Sequence, residues 1–266
     1  MLVFLFGVIT CTVKAAPGSN LLGFWVQSNE KNQNAIDHQP WQQLLDRYLI
    51  TKTSDEVYRF DYAKVTTEDK HLLAGYLKHL QGLDPRLYAR VTQKAYWINL
   101  YNALTVQVIL SNYPVDSIKD IKTSLLDFGG PWNDKVATVA GQALTLNDIE
   151  HGILRPIWQD NRIHYAVNCA SLGCPNLWPQ VYTAENTESL LEQAARNYIN
   201  HSRGVSLNNG KLTVSSIFDW YQEDFDDSEA GVLTHLQKYA EPDLKKQLSS
   251  YQGRLHYDYD WQLNAP

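Results

Sequence analysis

A mixed α+β fold, with several helices around a small sheet, is what this 266-residue sequence predicts. Three observations predict it. Helical spacing of apolar residues recurs along the chain, hairpin signals interrupt it, and a hydrophobic share of 44% suffices for one sizeable core. No internal repeat or low-complexity linker divides the sequence, so residues 17–266 read as a single domain.

The first element is a helix from Trp41 to Ile50, with Trp41, Leu44, Leu45, Tyr48 and Leu49 on one side. Val57 to Tyr62 alternates and predicts a short strand. Thr66 or Thr67 caps a helix carrying Leu72, Leu73, Tyr76, Leu77 and Leu80, which Gly82 and Pro85 bring to an end. Lys94 to Leu110 is apolar all round, the mark of a buried helix. Asn99 and Asn102 share one of its faces, three residues apart. Such buried amides either pin neighbouring backbone or line a site. Phe128 to Trp132 reads as a loop, and Lys135 to Leu144 as a hairpin turning at Ala140-Gly141-Gln142.

Thr145-Leu146-Asn147-Asp148 is a helix start of the capping-box kind. The helix continues through Glu150 and His151 to a stop or kink at Pro156. Its projection places Glu150 at the margin of the buried face, and Asp148, His151 and Arg155 together on the far side. Ile163 to Asn168 reads as a central strand, followed by a loop holding Cys169 and Cys174. Thr183 caps a helix running to about Asn200. Asn208-Asn209-Gly210 marks a second hairpin, between Val205–Leu207 and Lys211–Val214. A short helix from Ser216, two further helices and a strand over Arg254–Trp261 complete the chain.

Composition narrows the function. The formal net charge is −6 and no basic stripe occurs, which argues against nucleic acid. Eight Trp and sixteen Tyr fill a core or form a contact platform. Leu2 to Val13 is almost wholly apolar or small, and the chain turns polar from Lys14. So short a run suits a secretory signal better than a bilayer span. Residues 1–16 are therefore expected to be a signal peptide, and the mature protein to be periplasmic or secreted without a transmembrane span. A lipid anchor at Cys11 is disfavoured, since Thr10 is larger than the residue such signals place before the cysteine.

The chemistry gathers at Ile163–Pro175, which holds a histidine, an asparagine, a serine and two of the three cysteines. A catalytic thiol needs a base about 3 Å away. On a strand, His164 would stand about 16 Å from Cys169, so His151 is the better base and Glu150 its orienting carboxylate. Cys169 and Cys174 are also a disulfide candidate, because an exported chain with two close cysteines tends to join them. Their spacing is not that of thioredoxin-like motifs. His151, His164, Cys169 and Cys174 match no common zinc pattern, and neither a metal nor a cofactor is expected.

Four blocks carry a resemblance: Tyr96–Thr105, Leu146–Arg155, His164–Pro175 and Tyr257–Asn264. Together they resemble the domain of unknown function 547 family, in order, from about Trp41 to Asn264. The resemblance implies exported bacterial relatives and domains at the C-terminal end of larger plant proteins. In some eukaryotes the domain is joined to a glutaredoxin domain, which implies thiol chemistry. A more distant likeness is to papain- and transglutaminase-like thiol enzymes, although here the buried helix lacks a cysteine and His151 precedes Cys169.

The leading functional expectation is a thiol-dependent hydrolase or acyl transferase acting on a peptide-like bond. Cys169 is its nucleophile, His151 its base and Glu150 the orienting group. Asn99, Asn102, His164, Asn168, Ser171 and Arg155 are the binding candidates. The alternatives are a non-catalytic binding module shaped by a Cys169–Cys174 disulfide, and a thiol–disulfide exchange protein. The expected partner is a small molecule, a peptide or a cell-envelope ligand.

Overall fold

A computed structural model describes residues 18–122 and 130–266. The expected signal segment 1–16, Cys11 and the Phe128-Gly129 part of the expected loop lie outside the described residues.

Helices dominate, and the strands form three small separate sheets rather than one central sheet. Helix α1 (Gln39–Tyr48) buries Trp41, Leu44, Leu45 and Tyr48, the stripe its spacing predicts. Strands β1 (Leu49–Ile50) and β2 (Arg59–Phe60) pair antiparallel. Helix α2 (Thr67–Gln81) starts where Thr66 accepts a hydrogen bond from the Asp69 N–H, and it ends at Gly82. Helix α3 (Arg90–Asn112) is buried on all sides from Thr92 to Val106, as its unbroken apolar content requires.

The first hairpin joins β3 (Ala137–Val139) to β4 (Gln142–Leu144) through Ala140 and Gly141, both at positive φ. A capping box follows. The Asp148 N–H donates to Thr145 Oγ1 at 2.9 Å, and the Thr145 N–H donates to Asp148 Oδ2 at 2.9 Å. The second hairpin, β5 (Val205–Asn208) with β6 (Lys211–Ser215), turns at Asn209-Gly210 as expected. Strand β7 (His256–Asp258) adds to β6 in parallel. Between these lie α4 (Arg155–Trp158), α5 (Thr187–Ile199), α6 (Ile217–Trp220), α7 (Glu229–Tyr239) and α8 (Pro242–Ser250).

Two expectations are corrected. The helix after Thr145 is not a regular α-helix. Asp148–Leu154 forms a π turn, closed by a hydrogen bond from the Arg155 N–H to the Glu150 carbonyl, before α4. A π turn holds more residues than an α turn, so the far face drawn on an α projection does not exist. Glu150, His151 and Arg155 are all buried, at 5%, 4% and 3% exposure. An extended N-terminal segment lies on this turn: the Asn20 and Leu22 N–H groups donate to the His151 and Gly152 carbonyls. Gly152 is required there, since a Cβ would sit 2.7 Å from the Leu22 side chain.

The second correction concerns the expected strand Ile163–Asn168. Asn161–Tyr165 is a 3-10 helix, whose first turn is capped by Asp160 accepting the Arg162 N–H. Alternation misleads here because all six residues are buried and no neighbouring strand takes up their backbone groups. Asn102 does so instead, donating to the Ala166 carbonyl at 2.9 Å and accepting the Asn168 N–H at 2.8 Å. The strand-based distance from His164 to Cys169 therefore does not apply.

The segment straddles two apolar cores. Ile163, Ala166, Val167 and Ala170 belong to the core around α1–α3 and the first hairpin. Tyr165 belongs to the core formed by α5, α7 and the β5–β7 sheet. The cysteine loop thus emerges at their junction.

Candidate active site

Cys169 stands where the chain turns sharply. Ala170 follows at φ 59°, left-handed backbone that costs an L-residue energy and persists only when its surroundings hold it. Asn168 holds it: its Oδ1 accepts the Ala170 N–H at 2.9 Å and its Nδ2 donates to the Pro175 carbonyl at 2.8 Å. The C-terminal tail closes the other side. The Leu172 and Gly173 N–H groups donate to the Gln262 and Asp260 carbonyls, and Asn264 donates back to Ala170. Gly173 permits that approach, because a Cβ would lie 2.7 Å from the Asp260 nitrogen.

Both cysteines are free thiols, Cys169 half-exposed and Cys174 buried. Their sulfurs are 2.9 Å apart, and the Cys169 N–H donates to Cys174 Sγ at 3.0 Å. The Tyr259 hydroxyl lies 3.0 Å from the Cys169 sulfur, and Ser171 Oγ lies 3.3 Å from it. Ser171 Oγ also lies 3.0 Å from the Tyr259 hydroxyl. Burial raises the Cys169 pKa, but hydrogen bonds from Cys174, Ser171 and Tyr259 to its thiolate outweigh this and bring it below the ordinary thiol value. Burial pushes Cys174 well above that value, and the neighbouring thiolate pushes it further. The two thiols are thus set in opposite directions.

Around Tyr259 lies a half-buried aromatic cluster. Its ring centroid is 4.8 Å from that of Trp220 and 4.7 Å from that of Trp261. Trp132 packs edge-on against Trp261 at 5.7 Å.

The expected base and its orienting group lie in a second, buried cluster. His164 Nε2 is hydrogen-bonded to Asp224 Oδ2 at 2.6 Å, and its ring stacks on Tyr221 at 4.4 Å. Arg155 donates to Asp224 at 2.6 Å, to Glu223 at 2.5 Å and to His151 Nδ1 at 3.0 Å. Glu150 Oε1 stands 3.8 Å from His164 Nδ1 and 4.0 Å from His151 Nδ1. Neither separation is a hydrogen bond, and His164 Nδ1 has no hydrogen-bond partner among the described residues. Burial works against charge on Glu150, yet the two histidines and Arg155 hold its pKa at about 2. Burial alone would neutralise His164, but Asp224 and Glu150 raise its pKa. On His151 burial prevails and lowers it.

Of the sequence candidates, Cys169, Cys174 and Ser171 come together. Glu150, His151, His164 and Arg155 form the separate cluster, and no imidazole is among the hydrogen-bonding neighbours of the Cys169 sulfur. Asn99 clamps the Tyr182 backbone, donating at 2.7 Å and accepting at 3.1 Å, so its amide serves the scaffold as those of Asn102 and Asn168 do. Tyr259, Tyr221 and Asp224 carry no role in the sequence reading. Tyr259 sits in the quoted block Tyr257–Asn264, but only folding brings it to a thiol 90 residues away. Among the described residues, no three His, Cys, Asp or Glu side chains are grouped to hold a metal ion.

Comparison with known proteins bears out the family resemblance. No curated protein and no solved structure matches the chain. A family model described as protein of unknown function, DUF547, matches residues 85–199, which take in α3, the π turn and the cysteine loop, three of the four quoted blocks. Residues 85–199 of this chain are thus similar to the DUF547 family.

Proposed function

We propose that Cys169 and Cys174 form a dithiol–disulfide exchange centre. One observation carries this reading: the sulfur of Cys169, a residue partly open to solvent, lies 2.9 Å from that of the buried Cys174. The exposed member is the easier to ionise, which makes it the attacking thiol. A hydrolase or acyl transferase instead asks for an imidazole on the nucleophile, and His151 and His164 have their rings bonded to Arg155 and Asp224.

In the proposed step the Cys169 thiolate attacks one sulfur of a partner disulfide. The partner S–S bond breaks, a mixed disulfide forms, and the other partner sulfur leaves as a thiolate. Cys174 then gives its proton to that leaving thiolate and attacks the Cys169 sulfur. The Cys169–Cys174 bond forms as the mixed disulfide breaks, and the second partner sulfur leaves as a thiolate that takes its proton from water. The partner gains two electrons and the pair loses them; the reverse sequence oxidises a dithiol. The N–H of Cys169 steadies the Cys174 sulfur as it becomes anionic, and the aromatic cluster offers an apolar surface beside the reacting atoms. An oxidising compartment, as the apolar Leu2–Val13 run suggests, would supply such disulfides.

The test uses hydroxyethyl disulfide on protein carrying Cys11→Ser throughout. The wild-type pair should release both halves of the probe as thiol and keep no adduct. Cys174→Ser should retain the mixed disulfide, visible as added mass, and Cys169→Ser should not react. A stable adduct on the wild-type pair, or unchanged reaction in Cys169→Ser, would sink the reading.

A further inference from the structure

Behind the cysteine loop lies a cavity of about 430 Å³, walled by Leu172, Gly173, Arg203, Asp258, Tyr259 and Asp260. That volume suits a small molecule. Its charges are unevenly matched. Asp55 and Arg59, also in the wall, neutralise each other at 2.5 Å. Arg203 has no carboxylate partner among the described residues. Its guanidinium donates only to neutral acceptors, the Leu172 carbonyl at 3.2 Å and Asn176 Oδ1 at 2.8 Å, and its Nε–H has no acceptor. A guanidinium carries five N–H groups, so most of its donor capacity is unmet.

Asp258 and Asp260 likewise lack a cationic partner among the described residues. Each accepts one nearby backbone N–H, from Tyr259 at 2.9 Å and from Gln262 at 2.9 Å. The cavity therefore presents one unpaired cation and two unpaired anions.

We propose that this cavity binds a small zwitterion of the amino-acid or short-peptide class, its carboxylate on Arg203 and its ammonium toward Asp258 and Asp260. A dianion such as inorganic phosphate meets a lining with a surplus of carboxylate and is rejected by like-charge repulsion. The site goes beyond the thiol reading and stands without it. The two share a wall in Tyr259, whose hydroxyl lies 3.0 Å from the Cys169 sulfur.

The experiment is calorimetric titration of the full chain carrying Cys169→Ser and Cys174→Ser, so that the outcome does not depend on thiol exchange. The probes are glycylglycine, N-acetylglycine, glycinamide and inorganic phosphate. Glycylglycine should bind, the two singly charged probes about tenfold more weakly or worse, and phosphate not at all. Arg203→Gln should weaken glycylglycine binding by about tenfold or more. Because Arg203 also supports the loop, Ser202→Tyr is the second variant: Ser202 is exposed in the cavity wall, its side chain makes no hydrogen bond among the described residues, and a tyrosine there should block entry. The proposal is overturned if glycylglycine does not bind, if phosphate binds as well as it does, or if Ser202→Tyr leaves binding unchanged.

Discussion

The cysteine loop and the charged cluster of the π turn meet in one stretch of backbone, where His164 of the cluster stands five residues before Cys169, yet they treat polarity in opposite ways. In the charged cluster Arg155, Asp224 and His164 are joined by short, charge-assisted hydrogen bonds in a buried setting. Desolvated ions need fixed partners, because breaking such a pair strands a charge. In the loop Cys169 is partly exposed, and the neighbours of its sulfur are weak acids and a hydroxyl. Those contacts can be remade at small cost. The difference teaches that the density of ionisable groups marks the scaffold here, while the reactive candidate sits in the less charged region.

The largest effect expected from that contrast is on stability. Arg155→Ala removes the guanidinium from the mostly buried Asp224, the exposed Glu223 adding little, and it should destabilise by about 3–5 kcal/mol in urea unfolding. A loss below about 1 kcal/mol would mean that the cluster does not anchor the fold.

Acid should act on the same cluster. Glu150 and Asp224 are both held at about 2, below their ordinary 4.5 and 3.8. On Asp224 burial opposes ionisation, and the His164 and Arg155 hydrogen bonds overcome it. Depressed carboxylates stabilise above their unfolded values and lose that contribution as pH falls through the folded ones. Urea midpoints should therefore drop between about pH 4.5 and 2, and Asp224→Asn should flatten the drop. His164 has the opposite sign. Its raised pKa gives stability below the unfolded value that is lost as pH rises through the folded one.

Next comes the clamp linking α3 to the loop. Asn102→Ala leaves the Ala166 carbonyl and the Asn168 N–H buried without partners, a cost of about 2–4 kcal/mol. Asn102→Asp keeps the acceptor but sets a carboxyl oxygen against the Ala166 carbonyl in a buried site, so it should cost no less. A loss below about 1 kcal/mol for either variant in chemical denaturation would contradict the assigned bonds.

The smallest effect isolates the thiol. Tyr259→Phe removes one hydrogen-bond donor from the Cys169 thiolate. Iodoacetamide alkylation should slow by about two- to threefold at neutral pH, and its pH midpoint should rise, with the urea midpoint little changed. A fall in the midpoint would show that Tyr259 does not stabilise the thiolate.

Much of this was legible in the residues. Local signals whose partners lie a few positions away came out directly: the Thr66 cap, the Thr145–Asp148 box, the Asn209-Gly210 turn and the all-round burial of α3. What was lost were features set by distant groups. Ile163–Asn168 alternates like a strand, but Asn102 and Asp160 take its backbone bonds. The π turn depends in part on the segment around Leu22, more than a hundred residues earlier, which fits only against Gly152.

The sequence by itself determined an α+β chain, a segment similar to the DUF547 family and a loop holding Cys169 and Cys174 after a buried stretch, because apolar periodicity, capping and turn chemistry act over a few residues. Only the tertiary structure decided what each polar side chain meets. It brought Tyr259 to Cys169, joined His164 to Asp224 instead of to the thiol, and gave Arg203 no ion-paired carboxylate among the described residues, only neutral acceptors such as Asn176. Those pairings span 27 to 90 residues, and no local propensity can specify which distant partner a side chain finds once two cores close around it.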